Sequence, residues 1–260
     1  PLLQSSAASD VYKRQPRGIT LELKKKLKIR AFFASLGRII MNETVIIIPS
    51  RISAKRLPNK PLKLINNKEM ILHVFDRAKS SAADKVLVAT PDKVIFDLVN
   101  NYGGEAIMTE PNHMTGTDRV FEVFDKRLKK KPNIIINLQG DMPNIEPESI
   151  NHLIDHMLNS KTKIGTLASE IKTNEIKDEN IVKVETKEKL NQELFVKAND
   201  FFRINEQLSS NNVYHHIGIY AFTNKALLRY VSLKRSKLEI ERNLEQMLSL
   251  IHISEPTRQA

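Results

Sequence analysis

Three short segments of this chain bring together residue types that could handle a phosphorylated ligand. The first is Pro49-Ser-Arg-Ile-Ser-Ala-Lys-Arg-Leu-Pro-Asn-Lys60, with Arg51, Lys55, Arg56 and Lys60 inside ten residues. A guanidinium offers phosphate a planar fork and an ammonium offers it a point charge. The segment lacks the glycine spacing of a dinucleotide fingerprint or a Walker A loop. Its grip would come from side-chain cations and loop amides, which suits a triphosphate. A solvated basic loop is the competing reading. Pro58 and Pro61 bracket Lys60 and stiffen the loop, which favours a site.

The second segment is Asn137-Leu-Gln-Gly-Asp-Met-Pro143. Gly140 allows a sharp turn, and Asp141 would project from the end of the preceding apolar run. A lone carboxylate beside phosphate-binding cations suits Mg²⁺, which commonly takes one or two carboxylates plus substrate phosphates. A turn aspartate capping the next element is the alternative. The third segment is His113-Met-Thr-Gly-Thr-Asp-Arg119. Thr115, Gly116 and Thr117 could offer hydroxyls and amides to a polar ligand. A helix N-cap with a charged first turn is the alternative, and it is compatible with a site.

These segments need elements to hold them. Thr44–Ile48 (TVIII) is a continuous β-branched run ending at Pro49, expected of a strand buried on both faces. Helical spacing of apolar residues predicts a helix over 69–82. KVLVAT (85–90) predicts a strand, 92–102 a helix stopped by Gly103 and Gly104, and EAIMT (105–109) a strand. A helix over 117–130, a strand over 133–138 and a helix over 146–159 begun near Pro147 follow. This rhythm predicts an α/β fold with a doubly wound, mostly parallel sheet, which binds ligands at the carboxyl ends of its strands. After Lys163 the rhythm changes. IGTLASEI, NIVKVE, ELFVKA and VYHHIGIYAF read as strands, with helices over 225–230 and 237–250. A small β-rich insertion returning to the main sheet fits this order.

His152 and His156 stand at i, i+4, but no third ligand accompanies them, so an exposed helix face is the expected reading. His215 and His216 are adjacent on a strand and must face opposite ways. No Ser-His-Asp arrangement or nucleophile elbow is present.

Composition narrows the classes. The 260 residues include 41% hydrophobic and 27% charged residues, ordinary for a globular protein. With no cysteine, disulfides, thiolate metal sites and a catalytic thiol are excluded, and a reducing, cytoplasmic setting fits. No apolar run is long enough to cross a bilayer. Of the net charge of +11, residues 1–40 carry +7 and residues 251–260 none, leaving +4 on the remainder. A mildly basic body fits small anionic substrates and lowers the case for nucleic acid or a membrane as partner.

The ends read poorly as parts of a fold. Residues 1–40 are expected to be a non-native or disordered extension, with Met41 as the start of the native chain. A targeting peptide is the lesser alternative, because the apolar stretch is short and interrupted by Arg38. Residues 41–250 form the expected α/β domain, and 251–260 read as a non-native tail.

Together the segments resemble the 3-deoxy-D-manno-octulosonate (Kdo) cytidylyltransferases. The likeness spans Thr44 to Leu250 and rests on IIIPSRISAKRLPNKPL, EMILHVFDRA, VLVATPD, GGEAIMT, HMTGTDR, NLQGDMP, HHIGIYAF and LEIERNLEQM, in order. The resemblance implies a sheet of the nucleotide-diphosphosugar transferase type. It implies the reaction of CTP with Kdo to give CMP-Kdo and pyrophosphate, which feeds lipopolysaccharide biosynthesis, and a homodimer. By motif, Arg51 and Lys60 would hold the triphosphate, Gln139 would contact the nucleotide, and Asp141 would ligate Mg²⁺; Arg51, Lys60 and Asp141 are the expected catalytic set. Thr115, Lys197, His216, Glu239 and Gln246 would face the sugar.

The chain departs from the family pattern at Ala54 (usually serine), Asn59 (glycine), Thr115 (serine), Met142 (glutamate) and Lys197 (arginine). Lysine at 197 gives a point charge where arginine gives a fork to a carboxylate. The family also continues past this region with a second metal-binding aspartate. The 260-residue chain is therefore expected to be inactive or unstable, and an intact gene product active. The alternatives are a cytidylyltransferase for another acidic sugar, such as a nonulosonate or a modified Kdo, and an inactive sugar-nucleotide-binding fragment.

Overall fold

Strand β1, Thr44–Pro49, is buried along its whole length. Its side chains alternate between two hydrophobic clusters. Ile46 and Ile48 enter one, and Val45 and Ile47 the other. That is why the run is apolar without alternation: both faces of the sheet are covered. Each fully buried side chain of this kind contributes about 1.5–3 kcal/mol.

The computed structural model describes residues 43–53, 57–190, 195–203, 212–234, 236–242 and 244. All lie in the second of the two units into which the chain divides, Pro1–Met41 and Asn42–Ala260. The expectations for residues 1–40 and 251–260, and those for Ala54, Lys55, Arg56 and Gln246, lie outside the described residues.

After β1 come a 3-10 turn at Lys60–Leu62 and a hairpin of β2 (Leu64–Ile65) and β3 (Lys68–Glu69). Then follow α1 (Met70–Lys79), β4 (Lys85–Thr90), α2 (Lys93–Asn101), β5 (Ala106–Met108) and α3 (Gly116–Glu122). A π turn at Val123–Arg127 extends α3. The remaining elements are β6 (Ile134–Leu138), α4 (Pro147–Asn159), β7 (Ile164–Glu170), β8 (Lys183–Thr186), β9 (Ala198–Phe202), β10 (Val213–Thr223), α5 (Asn224–Ser232) and α6 (Lys237–Arg242).

One eight-stranded sheet runs β5-β4-β1-β6-β10-β8-β9, with β7 also on β10. The pairs β5–β4, β4–β1 and β1–β6 are parallel, and β10 joins β6 antiparallel. Helices α1, α2 and α4 pack on one face through Phe75, Val99 and Leu153. Helices α3 and α5 pack on the other through Phe124 and Leu227. This is the doubly wound arrangement expected from the sequence. The β-rich segment adds β7, β8 and β9 to the same sheet through β10, with a small cluster of Val184, Phe201 and Leu244 beside them.

Three local expectations need correction. The strand expected over ELFVKA is displaced: Phe195–Lys197 is not strand, and β9 begins at Ala198. The aromatic ring of Phe195 turns to stack on His156, with centroids 4.0 Å apart, so it leaves the sheet. His156 consequently lies half-buried, not on the exposed face expected for it, and bonds Thr162 at 2.9 Å. The β2–β3 hairpin also replaces the start of the expected helix. Asn66 and Asn67 take φ of 48° and 62°, the paired left-handed residues of a tight two-residue turn.

Candidate active site

The site is built where β1 and β6, neighbours in the sheet, end side by side. An ideal Cβ on Gly140 would stand 2.9 Å from the carbonyl oxygen of Pro49 and 3.5 Å from Ser50 Cβ. The two loops approach so closely that only glycine fits at 140. Arg51 and Asp141 are the next residues along each loop, so they leave the sheet from adjoining points. Arg51 is exposed.

The first loop closes back on itself. The Asn59 amide donates to Ile52 O at 3.3 Å, and the Ile52 amide donates to Asp92 Oδ2 at 2.7 Å. Asp92 precedes α2 and anchors the loop from β4's end, a contact across 40 residues that the sequence did not signal. Asn59 adopts φ 57° and starts the 3-10 turn that carries Lys60. Asparagine is among the few side chains that tolerate this left-handed backbone, which accounts for its standing where the family has glycine. Lys60 then reaches across, and its Nζ donates to Asp141 Oδ2 at 2.7 Å. The structure thus brings Lys60 and Asp141 into direct contact. Ser50 Oγ lies buried between these loops, without a hydrogen-bond partner among the described residues. Met142, in place of the family glutamate, packs against the core.

Helix α3 brings the third segment to the same place. An ideal Cβ on Gly116 would lie 3.3 Å from Pro49 Cγ and 3.4 Å from both Gln139 amide atoms. Thr115 is the N-cap: its Oγ1 accepts from the Asp118 amide at 3.1 Å and donates to Asp118 Oδ2 at 2.9 Å, while Asp118 Oδ2 also accepts from the Thr115 amide at 3.0 Å. The capping alternative for this segment is therefore realised. Its hydroxyl proton is committed, so toward a ligand Thr115 is left with acceptor capacity.

Two buried side chains of α3 hold the loop before it: Arg119, expected only at a helix start, and Glu122, not singled out in the sequence. The Arg119 guanidinium donates to Thr109 Oγ1, and to Glu110 O at 2.9 Å. Burial pulls Arg119 below its ordinary value, and the charge of Arg51 adds to this against Asp92 and Glu122. Glu122 Oε2 accepts from the Glu110 amide at 2.9 Å and contacts His113 Nε2 at 2.6 Å. Burial would raise the Glu122 carboxyl, but these hydrogen bonds outweigh it and hold it below the usual carboxylate range.

The residues expected to face the sugar divide between two places. Thr115 stands beside Gly116, against the Pro49 and Gln139 loops. Lys197, exposed, stands at the entry to β9, and Glu239 is buried on α6. Helix α6 is tied to β9 by Arg242, which donates to Asp200 Oδ1 at 2.6 Å and Phe201 O at 3.0 Å. Phe201 in turn sets its ring edge-on to His216, with centroids 5.0 Å apart. His216 is buried, and its Nε2 pairs with Thr166 Oγ1 at 2.9 Å. Burial, with help from His215, pushes its pKa down to about 3, so the ring is neutral. His215 faces the other way, toward Glu175 at 3.5 Å, as strand alternation requires.

The two groups meet at a bulge. The register of β10 against β7 shifts between Ile217 and Tyr220. Thr166 Oγ1 donates to Ile219 O at 2.7 Å across this irregularity. Gly218, within the bulge, lies against Gln139, its ideal Cβ 3.5 Å from Gln139 Cγ. Gln139 therefore sits between Gly116 and Gly218, with α3 on one side and β10 on the other.

Comparison with known proteins fits this geometry. A sequence model of the family described as Cytidylyltransferase matches residues 45–255. The chain is 42% identical over 219 residues to a 3-deoxy-manno-octulosonate cytidylyltransferase of Thermodesulfovibrio yellowstonii, covering 80% of this chain and 86% of that protein. It is 40% identical over 212 residues to the enzyme of the same name from Bartonella tribocorum, covering 81% and 86%. Among solved structures, CMP:2-keto-3-deoxy-manno-octonic acid synthetase complexed with CTP superposes with a TM-score of 0.71 at 36% identity, over 80% of this chain and 85% of that one. The chain belongs to the cytidylyltransferase family, among the 3-deoxy-manno-octulosonate cytidylyltransferases.

Proposed function

We propose that the site activates Kdo with CTP, releasing pyrophosphate and forming CMP-Kdo for lipopolysaccharide biosynthesis. The observation that supports this most is the meeting of Lys60 and Asp141 at the junction of the β1 and β6 loops, beside Arg51. The anomeric hydroxyl of Kdo attacks the α-phosphorus of CTP. The bond to the bridging oxygen breaks, pyrophosphate leaves with the electron pair, and the hydroxyl proton passes to solvent. Such a transfer depends on positioning and charge neutralisation more than on covalent catalysis. Arg51 and Lys60 are the counter-charges for the triphosphate. Gln139 contacts the nucleotide.

Cytidylyltransferases of this kind use a divalent metal, and we assign Mg²⁺. An exposed carboxylate beside phosphate-binding cations fits that ion, whose remaining ligands are substrate oxygens and water. Bound at Asp141, Mg²⁺ would neutralise charge on the phosphates. The Lys60 ammonium occupies Asp141 until then, and a triphosphate gives it a competing partner.

Thr115, Lys197, His216, Glu239 and Gln246 are proposed to face the sugar. A neutral His216 orients hydroxyls and supplies no counter-charge, so Lys197 is the cation for the Kdo carboxylate. We also read the protein as a cytoplasmic homodimer, on the family resemblance and the cysteine-free sequence. No described helix is long and apolar enough to cross a membrane.

Pyrophosphate release from CTP with a panel of sugar acids tests the acceptor. Kdo is expected to bind to the CTP-loaded protein in preference to nonulosonates and to give the fastest release. Faster release with a nonulosonate would replace Kdo by that acid.

A further inference from the structure

Strand β6 contains a polar residue where its neighbours demand apolar ones. Asn137 is fully buried, flanked by Ile136 and Leu138, and paired in register with Ile47 on one side and Tyr220 on the other. Asparagine is disfavoured in strands, and a buried amide is costly unless its hydrogen bonds are made. Both ends of this one are used. Its Nδ2 donates to the buried Thr117 Oγ1 at 3.1 Å, and its Oδ1 accepts from Gln139 Nε2 at 3.2 Å. A line of three side chains thus runs from the first turn of α3, along the face of the sheet that α3 covers, to Gln139.

We infer that Asn137 is a positioning residue that fixes the amide orientation of Gln139. With Nε2 turned inward to Asn137, Gln139 presents Oε1, an acceptor that no described residue occupies. Gly218 lies against Gln139 Cγ, and the ideal Cβ of Gly116 is 3.4 Å from both amide atoms alike, so bulk does not choose between the two amide orientations and the hydrogen bond to Asn137 does. An outward carbonyl selects a donor on the nucleotide: a ribose hydroxyl or the exocyclic amine of the base. This rests on the reading of the site as a CTP site and adds how that site discriminates.

The test is calorimetric titration of the full chain, in Mg²⁺, with CTP, with UTP (a carbonyl in place of the amine) and with 2′-deoxy-CTP (no 2′ hydroxyl). The wild-type chain is expected to bind one analogue about tenfold more weakly than CTP, the loss of one directed hydrogen bond; which analogue suffers identifies the donor. In Asn137→Leu, CTP is expected to weaken to the level of that analogue, so the discrimination falls within twofold. A purely structural role would weaken all three ligands alike and preserve the ratio. If Asn137→Leu does not fold, Asn137→Ser, whose hydroxyl is too short to reach Gln139, must show the same collapse. Persistent discrimination in the folded variant, or none in the wild-type chain, overturns the inference while leaving the function intact. Failure of the wild-type chain to bind CTP at all would overturn the function, and the inference with it.

Discussion

The ammonium of Lys60 lies 2.7 Å from Asp141 Oδ2, although 81 residues separate the two in sequence. The contact joins the ends of two neighbouring parallel strands, where a doubly wound sheet opens to its ligand. The side chains are 36% and 51% exposed, so the pair is a surface pair, worth roughly 0–1 kcal/mol. A contact this weak fixes two charges in place and still yields to a charged ligand. Lys60→Ala should therefore leave the melting temperature nearly unchanged while weakening CTP binding about tenfold or more. A large stability loss with unchanged CTP affinity would make the pair structural.

The glycine at 140 predicts a different outcome. A methyl group there would press on the Pro49 carbonyl oxygen at 2.9 Å, a backbone atom that cannot turn aside. Gly140→Ala must separate the two loops. The expected cost is about 1–3 kcal/mol, with weakened CTP binding, because both charged residues follow the contact. Thermal unfolding and CTP titration of the one variant check both; a variant with wild-type stability would show that the loops can part freely.

Asn59 carries the opposite expectation. Its φ of 57° suits glycine at least as well as asparagine. Asn59→Gly should be tolerated, and Asn59→Ala should cost about 1 kcal/mol through the left-handed backbone. Denaturant unfolding of the pair distinguishes this from a side-chain role, which both substitutions would abolish equally.

The buried ring of His216 makes stability depend on acid. Its pKa is pushed down from 6.5 to about 3 by burial, then by His215. Below pH 6.5 the unfolded chain takes up a proton that the folded chain refuses until about pH 3. Stability contributed by this site is full above 6.5 and is lost as pH falls toward 3. His216→Gln keeps a polar group near Thr166 and cannot titrate. The wild-type melting temperature should fall more steeply than that of the variant between pH 6.5 and 4. Parallel profiles would contradict the assignment of a neutral, buried ring.

What the sequence disclosed follows from what is local. TVIII and NIIINL read as doubly buried strands because each carries a run of consecutive β-branched apolar residues, Val45–Ile48 and Ile134–Ile136, and the cationic loop and Asp141 were visible because charged residues follow them. The ligand-side geometry rests on contacts with no local signature. Asp92 reaches Ile52 across 40 residues, and Asn137 looked like the first residue of a motif rather than a buried anchor. Phe195 fitted a strand pattern, yet a histidine on α4 captured its ring. Thr115 could be a cap or a ligand group from sequence alone, and only the bonds to Asp118 show the cap. The Asn66–Asn67 turn was legible in principle, since paired asparagines suit left-handed backbone.

The most direct measurement is CTP titration with and without Mg²⁺, in the wild-type chain and in Asp141→Asn. Mg²⁺ should tighten CTP binding about tenfold or more in the wild-type chain, and this gain should vanish in the variant, whose amide is a poor ligand for the ion. An equal Mg²⁺ gain in Asp141→Asn, or no CTP binding by the wild-type chain, would contradict a nucleotide held between the cations of the β1 loop and the carboxylate of the β6 loop.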